Sequence, residues 1–200
     1  FEPVNAWSAK RNWVYSVGLS NQASLLDADV PKPKVISPIS KLIINNFCPA
    51  NRYYGLHYQK LNAKLYYPPV REVIKNLNPT EGTDYIVYLP FYGTEKLVKH
   101  LTLFPEVTWR VFSKHTTLRY TSGNVHVQPI DETNFIAALE GCKGVLCSAG
   151  FGTTSEALYL NKKLLVIPMK SQYEQQCNAH SLSLLGVPAI PSLKKKHHTV

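Results

Sequence analysis

The sequence predicts an α/β fold, a Rossmann-like parallel sheet with helices on both faces, and three observations predict it. From Tyr85 onward, strand-sized apolar runs alternate with helix-sized stretches. Two of those runs, Gly144 to Cys147 and Leu164 to Ile167, are the apolar segments expected of strands covered on both faces. Between them lies Gly150-Phe-Gly152-Thr-Thr, a glycine loop opening a helix, where backbone N–H groups and the positive end of a helix dipole meet.

Taken in order, Asn12 to Gly18 reads as a short strand and Leu19 to Leu26 as a loop running into a short helix. From Asp29 to Pro38 prolines alternate with basic residues, the punctuation of a linker, and Lys41 to Asn46 resumes an apolar strand. Tyr53 to Tyr67 is read as a short strand pair. Pro68 and Pro69 hold the chain extended and make a hinge, with Arg71 just ahead of a short helix. Residues 1–75 are therefore expected to be part of one domain together with this hinge, and residues 76–200 a second, nucleotide-binding domain.

In that second part Tyr85 to Pro90, Thr108 to Phe112, Val125 to Gln128, Gly144 to Cys147 and Leu164 to Ile167 are predicted strands. Glu95 to Leu103, Thr133 to Gly141, Thr153 to Leu160 and Glu174 to Leu185 are predicted helices. His115 to Ser122 is read as loop or frayed helix.

The chain has 200 residues and a formal net charge of +9, an excess that suits phosphate-bearing ligands, an anionic membrane face or an ordinary solvated surface. Its basic residues are dispersed and spell no RRM, KH or helix-turn-helix pattern, so nucleic acid is not an expected partner. The run from Lys194 to His198 reads as a solvated end. No apolar run approaches the ~20 residues of a membrane helix. Cys48, Cys142, Cys147 and Cys177 form no Cys-x-x-Cys pair and are expected to be reduced, buried thiols in a cytoplasmic protein. The histidines lack ligand spacing, so no metal site is expected. The chain begins with Phe1 and no signal pattern, the form of a fragment or a processed protein.

The chemistry centres on Gly150-x-Gly152-Thr153-Thr154-x-Glu156. Glycines let a phosphate approach the backbone, and Glu156 can accept two hydroxyls as a ribose diol presents them. The same letters also spell a capping box, Thr153-Thr-Ser-Glu156, with no ligand at all. Gln175, Gln176 and Asn178 follow at the next helix start, where amides can cap or can hold hexose hydroxyls. Loop and amides together are what a sugar nucleotide would require.

These residues carry a resemblance. The span from about Tyr85 to Pro191 resembles the C-terminal, donor-binding domain of GT-B glycosyltransferases, the MurG-like group above all. Cys147-Ser-Ala-Gly-Phe-Gly-Thr-Thr-Ser-Glu156 is similar to that group's Cys-Arg-Ser-Gly-x-x-Thr-x-x-Glu, and Gln175-Gln-Cys-Asn-Ala179 to its Gln-Gln-x-x-Asn-Ala with one residue fewer. Pro68-Pro-Val-Arg71 resembles the Asn-Pro-Val-Arg of the interdomain hinge.

The resemblance implies an inverting, metal-independent transferase that uses a UDP-sugar, UDP-N-acetylglucosamine among the candidates, as substrate and needs no cofactor. It implies that Glu156 holds the ribose, the amides of Gly152 to Thr154 meet the diphosphate, and Gln175 and Gln176 hold the donor sugar. It further implies that Ile130 meets the base through its main chain and that Arg71 lies near the phosphates. The expected acceptor is a sugar or a lipid-linked sugar of the cell envelope, reached in the cytoplasm or at the inner face of the membrane. Two departures stand out: Leu89-Pro-Phe-Tyr-Gly93 replaces a Gly-Gly-Ser-Gln-Gly turn, and Ser148 replaces an arginine. No residue is identified as catalytic base. A nucleotide-sugar-binding module that needs a separate acceptor-side subunit, and a UDP-sugar hydrolase of the same fold, are the alternative readings.

Overall fold

The computed structural model describes residues 2–33 and 38–194, with the backbone alone for 38–41. The basic end beyond Lys194 and part of the proline-basic linker lie outside the described residues.

Two parallel-rich sheets follow one another along the chain. The first is small: β1 (Val17–Ser20), β2 (Arg52–Leu56) and β3 (Leu65–Tyr66) pair in parallel in that order. Helix α1 (Pro3–Arg11) precedes it, starting where the Glu2 carboxylate accepts the N–H groups of Val4 and Asn5. Helix α2 (Asn21–Ser24), capped by Ser20, crosses β2 so closely that a Cβ on Gly55 would meet the Ser24 Cα at 2.6 Å. Helix α3 (Pro38–Phe47) overturns the strand expected over Lys41 to Asn46. The β-branched Ile43-Ile44 pair suggested a strand, but Ile44 packs toward Leu25 and Leu65 while Leu42, Ile43 and Phe47 stay exposed, a one-sided pattern of helical spacing.

The Pro68-Pro69 segment leads through α4 (Glu72–Lys75) into the second sheet. Its strands are β4 (Tyr85–Tyr88), β5 (Trp109–Ser113), β6 (Tyr120–Ser122), β7 (Val125–Pro129), β8 (Gly144–Cys147) and β9 (Lys163–Val166), and their order is β6-β7-β5-β4-β8-β9. Every pairing is parallel except β6 with β7, a hairpin through Gly123 at φ 58° where loop or frayed helix was expected. Helices α5 (Thr94–Leu101), α6 (Glu132–Gly141), α7 (Phe151–Tyr159) and α8 (Tyr173–Leu184) connect them.

Alternation along the strands splits the core in two. Ile86, Phe112, Val145, Cys147 and Val166 pack beneath α6, α7 and α8. Val87, Val111, Val127 and Leu146 pack on the other face beneath α5, with Ile167 and Leu193 closing that core. The four cysteines are buried as unpaired thiols, and burial pushes the Cys142 thiol up to about 11. No helix among the described residues is long and apolar enough to cross a membrane.

One buried cation ties the bottom of the sheet together. The Lys162 ammonium, 8% exposed, donates to the carbonyls of Thr80, Glu140 and Cys142 at 2.7, 2.7 and 2.8 Å. Lys162→Met keeps the length and takes the donor from all three carbonyls, of which, among the described residues, only Glu140 O keeps another, the Thr80 N–H at 3.0 Å, so we expect a loss of about 2–4 kcal/mol in denaturant unfolding. A loss under about 0.5 kcal/mol would show that water replaces the ammonium there.

Candidate functional site

The strand order reverses direction between β4 and β8, so the loops leaving these two strands diverge and open a crevice at their carboxyl ends. The loop after β8 is held from three sides. Ser148 N–H donates to Tyr88 O at 3.2 Å, Asn178 Nδ2 on α8 donates to Ala149 O at 3.1 Å, and Thr154 Oγ1 donates to Gly150 O at 2.8 Å. The helix that follows is capped by Gly150 with extended backbone and no side-chain acceptor.

Helix α7 thus starts at Phe151, two residues earlier than the sequence suggested. Its amides at Phe151, Gly152 and Thr153 have no carbonyl four residues back within the helix, whereas Thr154 N–H donates to Gly150 O at 3.2 Å. The amides left without an intrahelical partner are therefore those of Phe151, Gly152 and Thr153, whereas the expected set ran from Gly152 to Thr154. Thr154, with no exposed surface, spends both its amide and its hydroxyl on the protein.

The two glycines have no internal reason to be glycine. A Cβ on Gly152 would meet nothing within 4 Å, and one on Gly150 would make only ordinary contact with Ser148 Oγ at 3.8 Å. Gly144 differs, since a Cβ there would meet Lys163 O at 2.7 Å. The open space before α7 is what a ligand would occupy. Gly93, read from the sequence only as the end of Leu89-Pro-Phe-Tyr-Gly93, caps α5 across the same crevice with nothing within 4 Å of its Cβ position; a glycine just before Thr94-Glu95 was the signal for that cap.

Glu156 lies in the second turn of α7, 7% exposed, and does not reach back to Thr153, so the capping box does not form. Its carboxylate instead takes a fork from Arg71, Nε to Oε1 at 2.6 Å and Nη2 to Oε2 at 3.0 Å. Arg71 Nη1 also bonds Glu132, the first residue of α6. The pairing with Glu156 raises the Arg71 guanidinium further above its ordinary value. Ile130 is 44% exposed just ahead of Asp131, which caps α6 by accepting from Asn134 N at 2.7 Å. Arg71 therefore connects the helix that follows Ile130 with the helix that carries Glu156.

On α8 the amides are partly committed. Gln175 Oε1 accepts from Met169 N at 3.0 Å and its Nε2 donates to Gln172 Oε1 at 2.7 Å, while Gln176 Nε2 donates to Lys170 O at 2.6 Å. Both brace the turn between β9 and α8. The Gln176 carbonyl oxygen has no protein partner among the described residues.

The segment after β2 also reaches this region. His57, 2% exposed, places Nε2 3.1 Å from Ser181 Oγ on α8, and Tyr58 bonds Thr154 on α7. Burial holds the His57 imidazole below the usual histidine range, partly opposed by its contact with the Gln59 backbone. The unfolded chain takes up this proton as pH falls below about 6.5 and the folded chain resists it, so the contribution to stability is complete above that range and lost as pH falls. His57→Gln should flatten the fall in Tm between about pH 7 and about pH 5. An unchanged profile would place the acid sensitivity elsewhere.

No curated protein matches the chain by sequence. Among solved structures it is similar to the spinosyn rhamnosyltransferase SpnG, with 16% identity and a TM-score of 0.57 over 92% of this chain and 55% of that one. The same enzyme complexed with thymidine diphosphate gives 15% identity and a TM-score of 0.54 over 92% and 56%. Arabidopsis thaliana UGT89C1 complexed with quercetin gives 11% identity and 0.51 over 94% and 54%. The likeness is one of fold, that of GT-B glycosyltransferases, and the chain spans a little over half the length of each of these structures. A profile described as glycosyl transferase family 1 matches residues 1–197, and the chain belongs to that family.

Proposed function

We propose that this chain supplies the donor-binding half of an inverting, metal-independent glycosyltransferase that takes a UDP-sugar. The observation that carries the reading is the start of α7: three amides with no partner among the described residues, beside an unhindered glycine, with a buried carboxylate one turn further on. The amides suit a diphosphate and the carboxylate suits a ribose diol. Arg71 uses two of the roughly four lone-pair positions of Glu156, which leaves acceptor capacity for two ribose hydroxyls. The thymidine diphosphate in the SpnG complex supports a pyrimidine nucleoside diphosphate as ligand class.

In the reaction so proposed, an acceptor hydroxyl attacks the anomeric carbon from the face opposite the nucleotide. The new C–O bond forms as the bond to the diphosphate breaks, the hydroxyl proton passes to a general base on the acceptor side, and the released charge falls on the amides of Phe151, Gly152 and Thr153, with the Arg71 guanidinium on the ribose side. Gln175 and Gln176, set where α8 meets the glycine loop, would face the donor sugar, and the MurG-like spacing of this pair favours an N-acetylhexosamine.

Residues 1–75 are then the nearer part of an acceptor side, joined through the Pro68-Pro69 hinge. Strand β1 has an open edge and exposed Val17 and Leu19, which suits further structure packing there. A recess of about 310 Å³ between Ile43 and Phe47 of α3 and Gln172 and Glu174 at the start of α8 suits an apolar acceptor. Exposed Leu42, Ile43 and Phe47 with the net charge of +9 support a lipid-linked acceptor at a membrane surface.

Hydrogen exchange in EDTA tests the reading. UDP should slow exchange at Phe151, Gly152, Thr153 and Ile130 without added metal. Slowing that requires Mg²⁺, or that falls only outside the crevice, would contradict it.

A further inference from the structure

Tyr58 is not part of any expected site, yet its phenol ends on the helix that opens the crevice. It leaves β2 two residues after Leu56 and is 8% exposed. Its ring lies against Phe151 with centroids 5.0 Å apart, and its hydroxyl is 2.8 Å from Thr154 Oγ1. Thr154 Oγ1 donates to Gly150 O at 2.8 Å, with Phe151 O at 3.1 Å. With the threonine proton spent on that carbonyl, the phenol is the donor to Thr154. A hydrogen-bonded line therefore runs from Tyr58 through Thr154 to the carbonyl of Gly150, the residue that caps α7.

We propose that Tyr58 is a positioning residue for the diphosphate-binding turn, acting through Thr154 on the aim of the Phe151, Gly152 and Thr153 amides. This rests on the donor-site reading above. The line starts just after β2, in the connection to β3, and ends in the turn between β8 and α7, so the segment that precedes Pro68 sets the geometry of a turn far along the chain. Two details make the role one of aim rather than of bulk. The phenol contacts both ends of the first turn, its ring packed at a tilt of 50° against Phe151 and its hydroxyl bonding the Thr154 side chain that grips Gly150. Asn178 pins the preceding carbonyl, Ala149 O, from α8, so neighbouring carbonyls of the loop are gripped by side chains of α8 and α7. Burial pushes the Tyr58 phenol up, far above its ordinary range, so it remains a donor at working pH.

The test uses the full chain and two probes that differ only in the diphosphate, UDP and uridine. Tyr58→Phe keeps the ring on Phe151 and removes the donor; Thr154→Val keeps the shape and removes the relay. We expect UDP affinity to fall about fivefold in the first and about tenfold in the second, with uridine affinity unchanged within about twofold. The double variant should be no worse than Thr154→Val alone, because Tyr58 acts through the threonine, and Thr154→Ser should retain most of the wild-type affinity for UDP. Equal losses for UDP and uridine would reduce Tyr58 to general packing and overturn the proposal. Wild-type UDP affinity in both single variants would overturn it while leaving the donor reading intact. A wild-type chain that binds neither probe would overturn the donor reading and this proposal with it.

Discussion

Gly152→Val should abolish UDP binding while leaving the fold as stable as before. The residue occupies the second position of α7, and a Cβ there would meet no protein atom within 4 Å. In the first turn of a helix, exchanging glycine for valine changes stability by less than about 1 kcal/mol, because glycine is itself a poor helix residue. The two added methyl groups would stand in the open space in front of the free amides, where the diphosphate must come within hydrogen-bond distance. A loss of at least about 100-fold in affinity is expected, measured by titration, with Tm unchanged within a few degrees. Retained binding would mean that the nucleotide does not approach this turn.

Glu156→Gln is the second large effect. The carboxylate is buried and bonds both ends of the Arg71 fork, so the amide keeps the shape and loses the charge. Charge-assisted bonds of this kind contribute about 1.5–3 kcal/mol, which corresponds to a loss of roughly 10- to 150-fold in affinity for UDP. Arg71 keeps Glu132 as partner, so the fold should lose much less, about 1 kcal/mol. The same variant should affect uridine nearly as strongly as UDP, since the ribose is common to both. A variant that unfolds readily but binds UDP normally would make Glu156 a structural residue only.

How legible this was in the sequence varied with what each segment buries. Strands β4, β5, β7, β8 and β9 were found because their apolar residues face two cores, which leaves continuous runs such as Val145-Leu146-Cys147. Helix α1 left no such trace: it has no buried residue, and its clearest signal is the cap formed by Glu2. Helix α3 was misread because β-branched residues dominate its middle, and packing of Ile44 against Leu25 overrides that propensity. Hairpin β6 was missed although Ser122-Gly-Asn124 spells its turn.

The candidate site divides similarly. Gly150, Gly152 and Glu156 were visible because they lie close along one helix start. Their register was off by a residue for the amides, since the helix begins at Phe151 and a glycine in its first turn gives no boundary signal. The pairing of Arg71 with Glu156 and Glu132, and of Tyr58 with Thr154, joins residues 61 to 96 positions apart, and no local pattern encodes such contacts.

The central claim is that the crevice beside α7 binds a pyrimidine nucleoside diphosphate. Calorimetric titration of this chain with UDP, in EDTA and with ADP and GDP as controls, tests it most directly. The account predicts saturable binding of UDP at one site, with ADP and GDP at least about tenfold weaker. Equal binding of all three nucleotides, or none by a chain shown to be folded, would contradict it.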